Sequence, residues 1–294
     1  MSEENQEFLE LSGIHGPEAK HETLTESEFP VLQGLSPVNM RILNHACRVM
    51  HVSQGVEILH ERDTPHYLFF IKQGKVAIAR MCGSRNQVIA HLKSGELYGE
   101  FGALRNKTRY ASVVTVEPTV IIRVDLSAVH QVLEADSKFR QHLEEILTFR
   151  MLESFFFSHP AFENMRPEVR SQLAHILDTR FYERDSRIFN QGDKPEGVHL
   201  IVSGEAEVRF LNRNKNETLL EVRRDNDVIG EVARNNGSEM AYSAIASGDL
   251  DTLLLDAKSL KTIREVDPVT MQHLEKFITK RSAETVQRLK QVIR

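Results

Sequence analysis

Gly99-Glu100-Phe101-Gly102-Ala103-Leu104-Arg105-Asn106-Lys107-Thr108-Arg109-Tyr110-Ala111-Ser112 opens on two glycines around a carboxylate and reaches an arginine ten residues after Gly99. The apolar, β-branched run Val113-Val114-Thr115-Val116 follows and predicts a strand. Glycines let backbone N–H groups approach an anion closely and form a concave set of donors. A fixed guanidinium takes two phosphate oxygens at once. A carboxylate is wrong for phosphate but right for accepting hydrogen bonds from sugar hydroxyls. Together these residue types suit a phosphorylated sugar held inside β-structure. So short a motif also fits a surface turn whose Glu and Arg are solvated, and its surroundings decide between the two.

Upstream lie Val56-Glu57-Ile58-Leu59, Tyr67-Leu68-Phe69-Phe70-Ile71, Val76-Ala77-Ile78-Ala79 and Val88-Ile89-Ala90-His91-Leu92, with Gly74 and Gly95 at turns. Downstream, Val120-Ile121-Ile122-Arg123-Val124 supplies a closing strand. Regular short strands with glycine turns predict a barrel or jelly roll. Ser36-Pro37 marks a helix start and Asp125 an N-cap. A long helical pattern then runs from about Ser137 to Phe155-Phe156-Phe157, where His159-Pro160 ends it. Three consecutive phenylalanines cannot share one helix face, so at least one is expected to bury against another domain or a lid.

The pattern then repeats. Ile58 through Pro65 aligns with Ile188 through Pro195, pairing Asp63 with Asp193, and Gly74 pairs with Gly204 further on. Gly99-Glu100 recurs as Gly230-Glu231, one residue further offset. The second copy, however, has Met240 ten residues after its glycine, where the first has Arg109, and Glu239 beside it. A buried phosphate without a guanidinium is desolvated with little return.

The first stretch resembles the phosphate-binding cassette of cyclic nucleotide-binding domains, roughly Phe-Gly-Glu-Leu-Ala-Leu, a short gap, then Pro-Arg-Ala-Ala. The resemblance covers about residues 29 to 260, in two copies. It implies a mainly β protein with α, built as two tandem β-jelly-roll (double-stranded β-helix) domains with flanking helices. It also implies that Glu100 binds the ribose 2′-hydroxyl, that Arg109 binds the cyclic phosphate, and that Gly102 and Ala103 offer N–H groups. Gly99, Phe101, Tyr110, Ala111 and Ser112 complete that site, and Gly230, Glu231 and Met240 mark a degenerate second one. The implied ligand is cAMP, with cGMP or another cyclic nucleotide left open. Tyr98 replaces the Phe, Thr108 the Pro, and bulky Tyr110 a small residue near phosphate or base.

The 294 residues divide by this reading into an acidic mobile tail (1–28), a domain with an intact cassette and linking helix (29–157), and a second domain with a C-terminal helix (158–294). The tail carries eight acidic residues against Lys20, whereas residues 258–294 carry nine Lys or Arg against four acids. That basic helix reads as a solvated packing face, or more sharply as a docking surface for an acidic partner or the acidic tail. A net charge of −5 gives no general attraction to nucleic acid or anionic membrane. Two cysteines and no long apolar run predict a soluble cytoplasmic protein without membrane insertion.

No nucleotide-hydrolase loop, nucleophile elbow or paired metal ligands is present, so no enzyme activity, cofactor or metal is expected. The family's transcription activators continue into a winged helix-turn-helix, which nothing here supplies, so no DNA binding is expected. The tandem layout resembles the regulatory subunit of cAMP-dependent protein kinase, but the tail shows no Arg-Arg-x-Ser/Ala pseudosubstrate, so kinase inhibition does not follow. Two functions are left: a receptor that relays nucleotide binding to an unidentified protein partner, and a ligand-independent scaffold on degenerate barrels. Homodimerisation through the helices is compatible with either.

Overall fold

Short apolar runs with a turn at each end reach a neighbour most directly by folding back, which gives antiparallel ladders. A computed structural model describes residues 14–15, 23–82, 85–105, 109–212, 216–234 and 237–292. It comprises two units, Met1–Leu147 and Thr148–Arg294.

The first unit holds β1 (Ile14–His15), β2 (Cys47–Val52), β3 (Glu57–Leu59), β4 (Tyr67–Gln73), β5 (Lys75–Cys82), β6 (Arg85–Lys93), β7 (Leu97–Tyr98), β8 (Ser112–Thr115) and β9 (Thr119–Asp125). They form two sheets, in the orders β1-β2-β9-β4-β7 and β3-β8-β5-β6. Its helices are α1 (Pro37–His45), α2 (Glu100–Arg105), α3 (Leu126–Ala135) and the start of α4 (Ser137–Ser158). Strand β4 is apolar from Tyr67 to Ile71 because both its faces are covered there. Leu68 and Phe70 pack with Phe29, Leu43, Val129 and Phe139, while Phe69 and Ile71 line the barrel with Val76, Leu92 and Val113.

The second unit repeats this plan with β10 (Thr179–Tyr182), β11 (Arg187–Phe189), β12 (Val198–Ser203), β13 (Ala206–Leu211), β14 (Glu217–Arg223), β15 (Val228–Ile229), β16 (Ala233–Arg234), β17 (Glu239–Met240), β18 (Ser243–Ala246) and β19 (Leu250–Leu255). The sheet orders are β10-β19-β12-β15 and β11-β18-β13-β14, with β16-β17 as a separate hairpin. Helices α5 (Pro167–Ile176), α6 (Ala257–Val266) and α7 (Pro268–Val292) complete it. No described helix is long and apolar enough to cross a membrane.

The Ser36 hydroxyl caps α1 by accepting from the Asn39 N–H at 3.1 Å, as its sequence predicts. Asp125 precedes α3 as expected but makes no side-chain cap bond; the Leu126 N–H donates instead to the His66 carbonyl. Asp136 and Asp267 take equivalent places before α4 and α7, accepting from the Phe139 and Thr270 N–H groups at 3.0 and 3.2 Å.

Two expectations change. Of the acidic segment, residues 1–13 and 16–22 lie outside the described residues, but 23–28 are not a loose tail. Leu24 is buried in the first core, and its N–H donates to the Asn44 side chain at 2.6 Å. An apolar side chain inserted there adds about 1.5–3 kcal/mol, enough to hold a short polar stretch in place. Of the three phenylalanines, Phe155 and Phe156 are buried among His159 and Phe162, within the second unit. Phe157, a further 100° round the helix, is 40% exposed beneath the Arg170 guanidinium.

Burial pushes two histidines of the second unit, His159 and His199, down to about 4. Arg180 adds to the effect at His199, whereas Asp227 opposes it at His159. Between pH 4 and 6.5 the unfolded chain therefore binds more protons than the folded one, so stability rises with pH through that window and is lost on acidification. The loss approaches about 3 kcal/mol per histidine. Chemical denaturation at pH 7 and pH 4.5 should show it, and His199→Gln should flatten the slope. An unchanged slope would mean that His199 protonates freely in the folded state.

Candidate functional site

Strand β7 ends at Tyr98 and α2 begins at Glu100, so Gly99 alone turns the corner, with φ of 93°. A Cβ on Gly99 would lie 2.8 Å from Arg109 Nη1 and 3.2 Å from the Tyr67 carbonyl oxygen. Glycine is required there on both counts. Gly102 is equally constrained, since its Cβ would lie 2.5 Å from Pro65 Cβ. Glu100, at the start of α2, is 7% exposed.

The Arg109 backbone is tied to the turn before β4 in both directions: its N–H donates to the Asp63 carbonyl, and its carbonyl accepts from Arg62, each at 2.8 Å. Its side chain is 4% exposed. Nη1 donates to the Gly99 carbonyl at 3.3 Å and Nη2 to the Tyr67 carbonyl at 2.8 Å. Nε has no hydrogen-bond partner among the described residues. The guanidinium lies over Phe69, whose ring stacks on Tyr98 at 4.8 Å between centroids. Burial lowers the Arg109 pKa, against the opposing pull of Tyr98, Glu100 and Asp63. The group is thus a buried cation, desolvated further than its surroundings repay, with donors still to place.

The rest of the predicted set divides. Tyr110, where the resemblance expects a small residue, packs on Phe101 at 4.9 Å and receives a hydrogen bond from Arg80 Nη1 at 2.6 Å. The Arg80 guanidinium also sits 4.0 Å over its ring. Two residues of the set make bonds within the fold. The Ala103 N–H donates to the Gly99 carbonyl at 3.3 Å, and the Ser112 hydroxyl accepts from the Glu61 N–H at 3.0 Å. Ala111 is buried behind them. Thr108 lies outside the described residues.

The bonds that tether Arg109 and Ser112 recur in the second cassette. Gly230 turns with φ of 84°. The Met240 N–H donates to the Asp193 carbonyl at 2.8 Å, its carbonyl accepts from Gly192 at 2.9 Å, and the Ser243 hydroxyl accepts from the Gln191 N–H at 2.9 Å. Met240 therefore occupies the Arg109 position, with its methyl group 3.2 Å from where a Gly230 Cβ would stand. The second barrel has its cation elsewhere. In the first sheet Val76 pairs with Leu92, and in the second Ala206 pairs with Arg223, so Arg223 replaces a core leucine.

The Arg223 side chain is wholly buried, with Nη1 2.9 Å from Glu231 Oε2 and Nη2 2.8 Å from Glu221 Oε1. It also donates to the Val228 carbonyl and the Thr285 hydroxyl. Burial would lower this guanidinium, but Tyr242 and Glu231 outweigh it and hold it above its ordinary value. Tyr242, at the position of Ala111, accepts from the Gly230 N–H at 2.6 Å and donates to Glu231. Neither Arg223 nor Tyr242 stands out in the sequence. The repeat carries the signal: aligning the copies puts a charge opposite Leu92 and a phenol opposite Ala111.

A family model described as the cyclic nucleotide-binding domain matches residues 49–136 and 179–267. The cAMP-dependent protein kinase regulatory subunit of Aspergillus niger is 24% identical over 220 residues, covering 72% of this chain and 51% of that protein. That of Mycosarcoma maydis is 26% identical over 218 residues, covering 70% and 40%. The chain thus spans about half the length of such relatives, or less. A solved regulatory domain of Toxoplasma gondii PKA with cAMP aligns over 95% of this chain and 98% of that one, with a TM-score of 0.38 and 18% identity. Both copies of the repeat are matched, together more than half of the chain, and the chain belongs to the cyclic nucleotide-binding domain family.

Proposed function

We propose that this protein is a cyclic nucleotide receptor with one working site, Gly99–Ser112, whose ligand is cAMP. The observation that carries it is Arg109: a buried guanidinium with two N–H groups spent on carbonyls and its Nε without a partner, beside a buried carboxylate at a glycine corner. A phosphodiester anion supplies acceptors for the donors that Arg109 has left over, and a ribose hydroxyl supplies a donor that Glu100 accepts. The kinase regulatory subunits among the relatives support cAMP as the base choice and a kinase catalytic subunit as the class of protein partner. Helix α4 supports a relay to that partner through the second domain, because it starts in the first unit and ends in the second. The protein on this reading is a cytoplasmic signalling receptor and not an enzyme.

Calorimetric titration with cAMP, cGMP and a cyclic dinucleotide tests the proposal. One equivalent of cAMP bound per chain supports it, and no heat with any of the three leaves the scaffold reading. Within the site, Glu100→Gln should weaken cAMP binding about 10-fold, as expected for losing a hydrogen bond to a charged acceptor. The same substitution should matter little for 2′-deoxy-cAMP, which has no hydroxyl to donate. Equal losses for both ligands would remove Glu100 from this role.

A further inference from the structure

Helices α4 and α7 are the same element in the two copies, each entered through a capping aspartate, Asp136 or Asp267. In the second copy the helix stays with its own barrel. Leu289 is buried in the barrel core with Val232, Ala241 and Tyr242, and Val286 packs beside it. One turn earlier, the Thr285 hydroxyl donates to Glu231 Oε1 at 2.6 Å and accepts from Arg223. A further turn back, Arg281 Nε and Nη2 bind the two Asp227 carboxylate oxygens at 2.8 and 2.6 Å. Arg288 adds a contact to Glu221 at 3.3 Å. Positions 281, 285 and 289 share one helix face.

Glu231 stands in the register of Glu100, and the hydroxyl that reaches it comes from the chain itself. The charges around it are also the wrong sign for an anion. Glu221 and Glu231 both pair with the buried Arg223, and Asp227 pairs with Arg281 of the helix. The barrel side of the contact thus carries three carboxylates to one guanidinium, an excess of negative charge that repels phosphate and attracts a basic helix. We propose that the second cassette is an occupied receptor for the chain's own C-terminal helix, with Thr285 taking the place of a ligand hydroxyl on Glu231 and with Arg281 and Leu289 seating the helix on either side. The naming of Gly230–Glu231 as a ligand cassette rests on the reading of Gly99–Glu100 above; the seating of the helix does not. Of the basic C-terminal segment, Arg281 and Arg288 are engaged by barrel carboxylates, while Lys258, Lys261, Arg264, Lys276, Lys280 and Lys290 form a solvated face.

Hydrogen exchange on the full chain without nucleotide tests this independently of whether the first site binds cAMP. Residues 281–292 and 228–243 should be protected together. Thr285→Val, which keeps shape and removes the hydroxyl, should lower protection in both segments by about 10-fold or more, the effect of one hydrogen bond to a charged group. Thr285→Ser should restore it, which simple packing of the threonine methyl would not. Leu289→Ala should open both segments with the first unit unchanged, as a second route if the valine variant folds poorly. Free exchange of 281–292 in the natural protein would overturn the proposal. So would loss of protection confined to the helix in the Thr285→Val variant, or a second equivalent of cyclic nucleotide that deprotects the helix.

Discussion

Arg109→Met is expected to weaken cyclic nucleotide binding on the order of 30-fold or more, because removing one partner of a buried charge pair costs about 2–5 kcal/mol. Methionine is the informative replacement, since Met240 shows that it fits the same backbone position. Stability should move little. The guanidinium is a desolvated cation whose pKa burial lowers, and replacing such a group with an apolar side chain is often neutral or stabilising. Against that stand two lost hydrogen bonds, to the Gly99 and Tyr67 carbonyls. The unfolding midpoint should therefore stay within a few degrees while the titration heat collapses. A site kept for affinity at no gain in stability is what a binding function predicts. An unchanged dissociation constant would mean that the site is misplaced; a large fall in midpoint would make Arg109 a structural residue.

Arg223→Met is expected to do the opposite, destabilising the protein by about 3–5 kcal/mol, the cost of leaving a buried charge without its partner. Among the described residues, Glu231 would then keep the Tyr242 and Thr285 hydroxyls. For a chain of this size that corresponds to a fall of roughly 6 °C or more in the unfolding midpoint. Adding Glu231→Gln removes the stranded charge and should recover much of the loss, a non-additivity that direct contact produces. Additive effects would show that the pair, 2.9 Å apart, is not coupled in solution. The two arginines make a matched comparison, one held by two backbone carbonyls and proposed to meet a ligand, the other consumed by carboxylates of its own protein.

The barrels are legible because their information is local and doubled. Short apolar runs, glycine turns and the copy beginning at Ile188 specify the strands along the chain. Residues paired by the repeat, such as Asp63 and Asp193, then make the same backbone bonds in the two barrels. The candidate site is legible for the same reason, since Gly99, Glu100 and Arg109 lie within eleven residues. The sequence misleads where a side chain's fate depends on distant packing. Leu24 sits in a stretch acidic enough to read as a tail, yet it is buried.

Taken alone, the sequence determined that two jelly-roll domains follow one another, that the first carries a guanidinium and a carboxylate at cassette spacing, and that the second has lost that guanidinium at Met240. Only the tertiary structure decided what replaced it. Arg223 and Thr285 are 62 residues apart, and Thr285 and Glu231 are 54 apart, so no short window along the chain contains the network. A buried arginine and an exposed one are also identical letters. What distinguishes Arg109 from Arg223 is the set of atoms around each guanidinium: two backbone carbonyls and an idle Nε in one case, two carboxylates and a helix hydroxyl in the other. That difference is long-range electrostatics, and it exists only once the chain has folded.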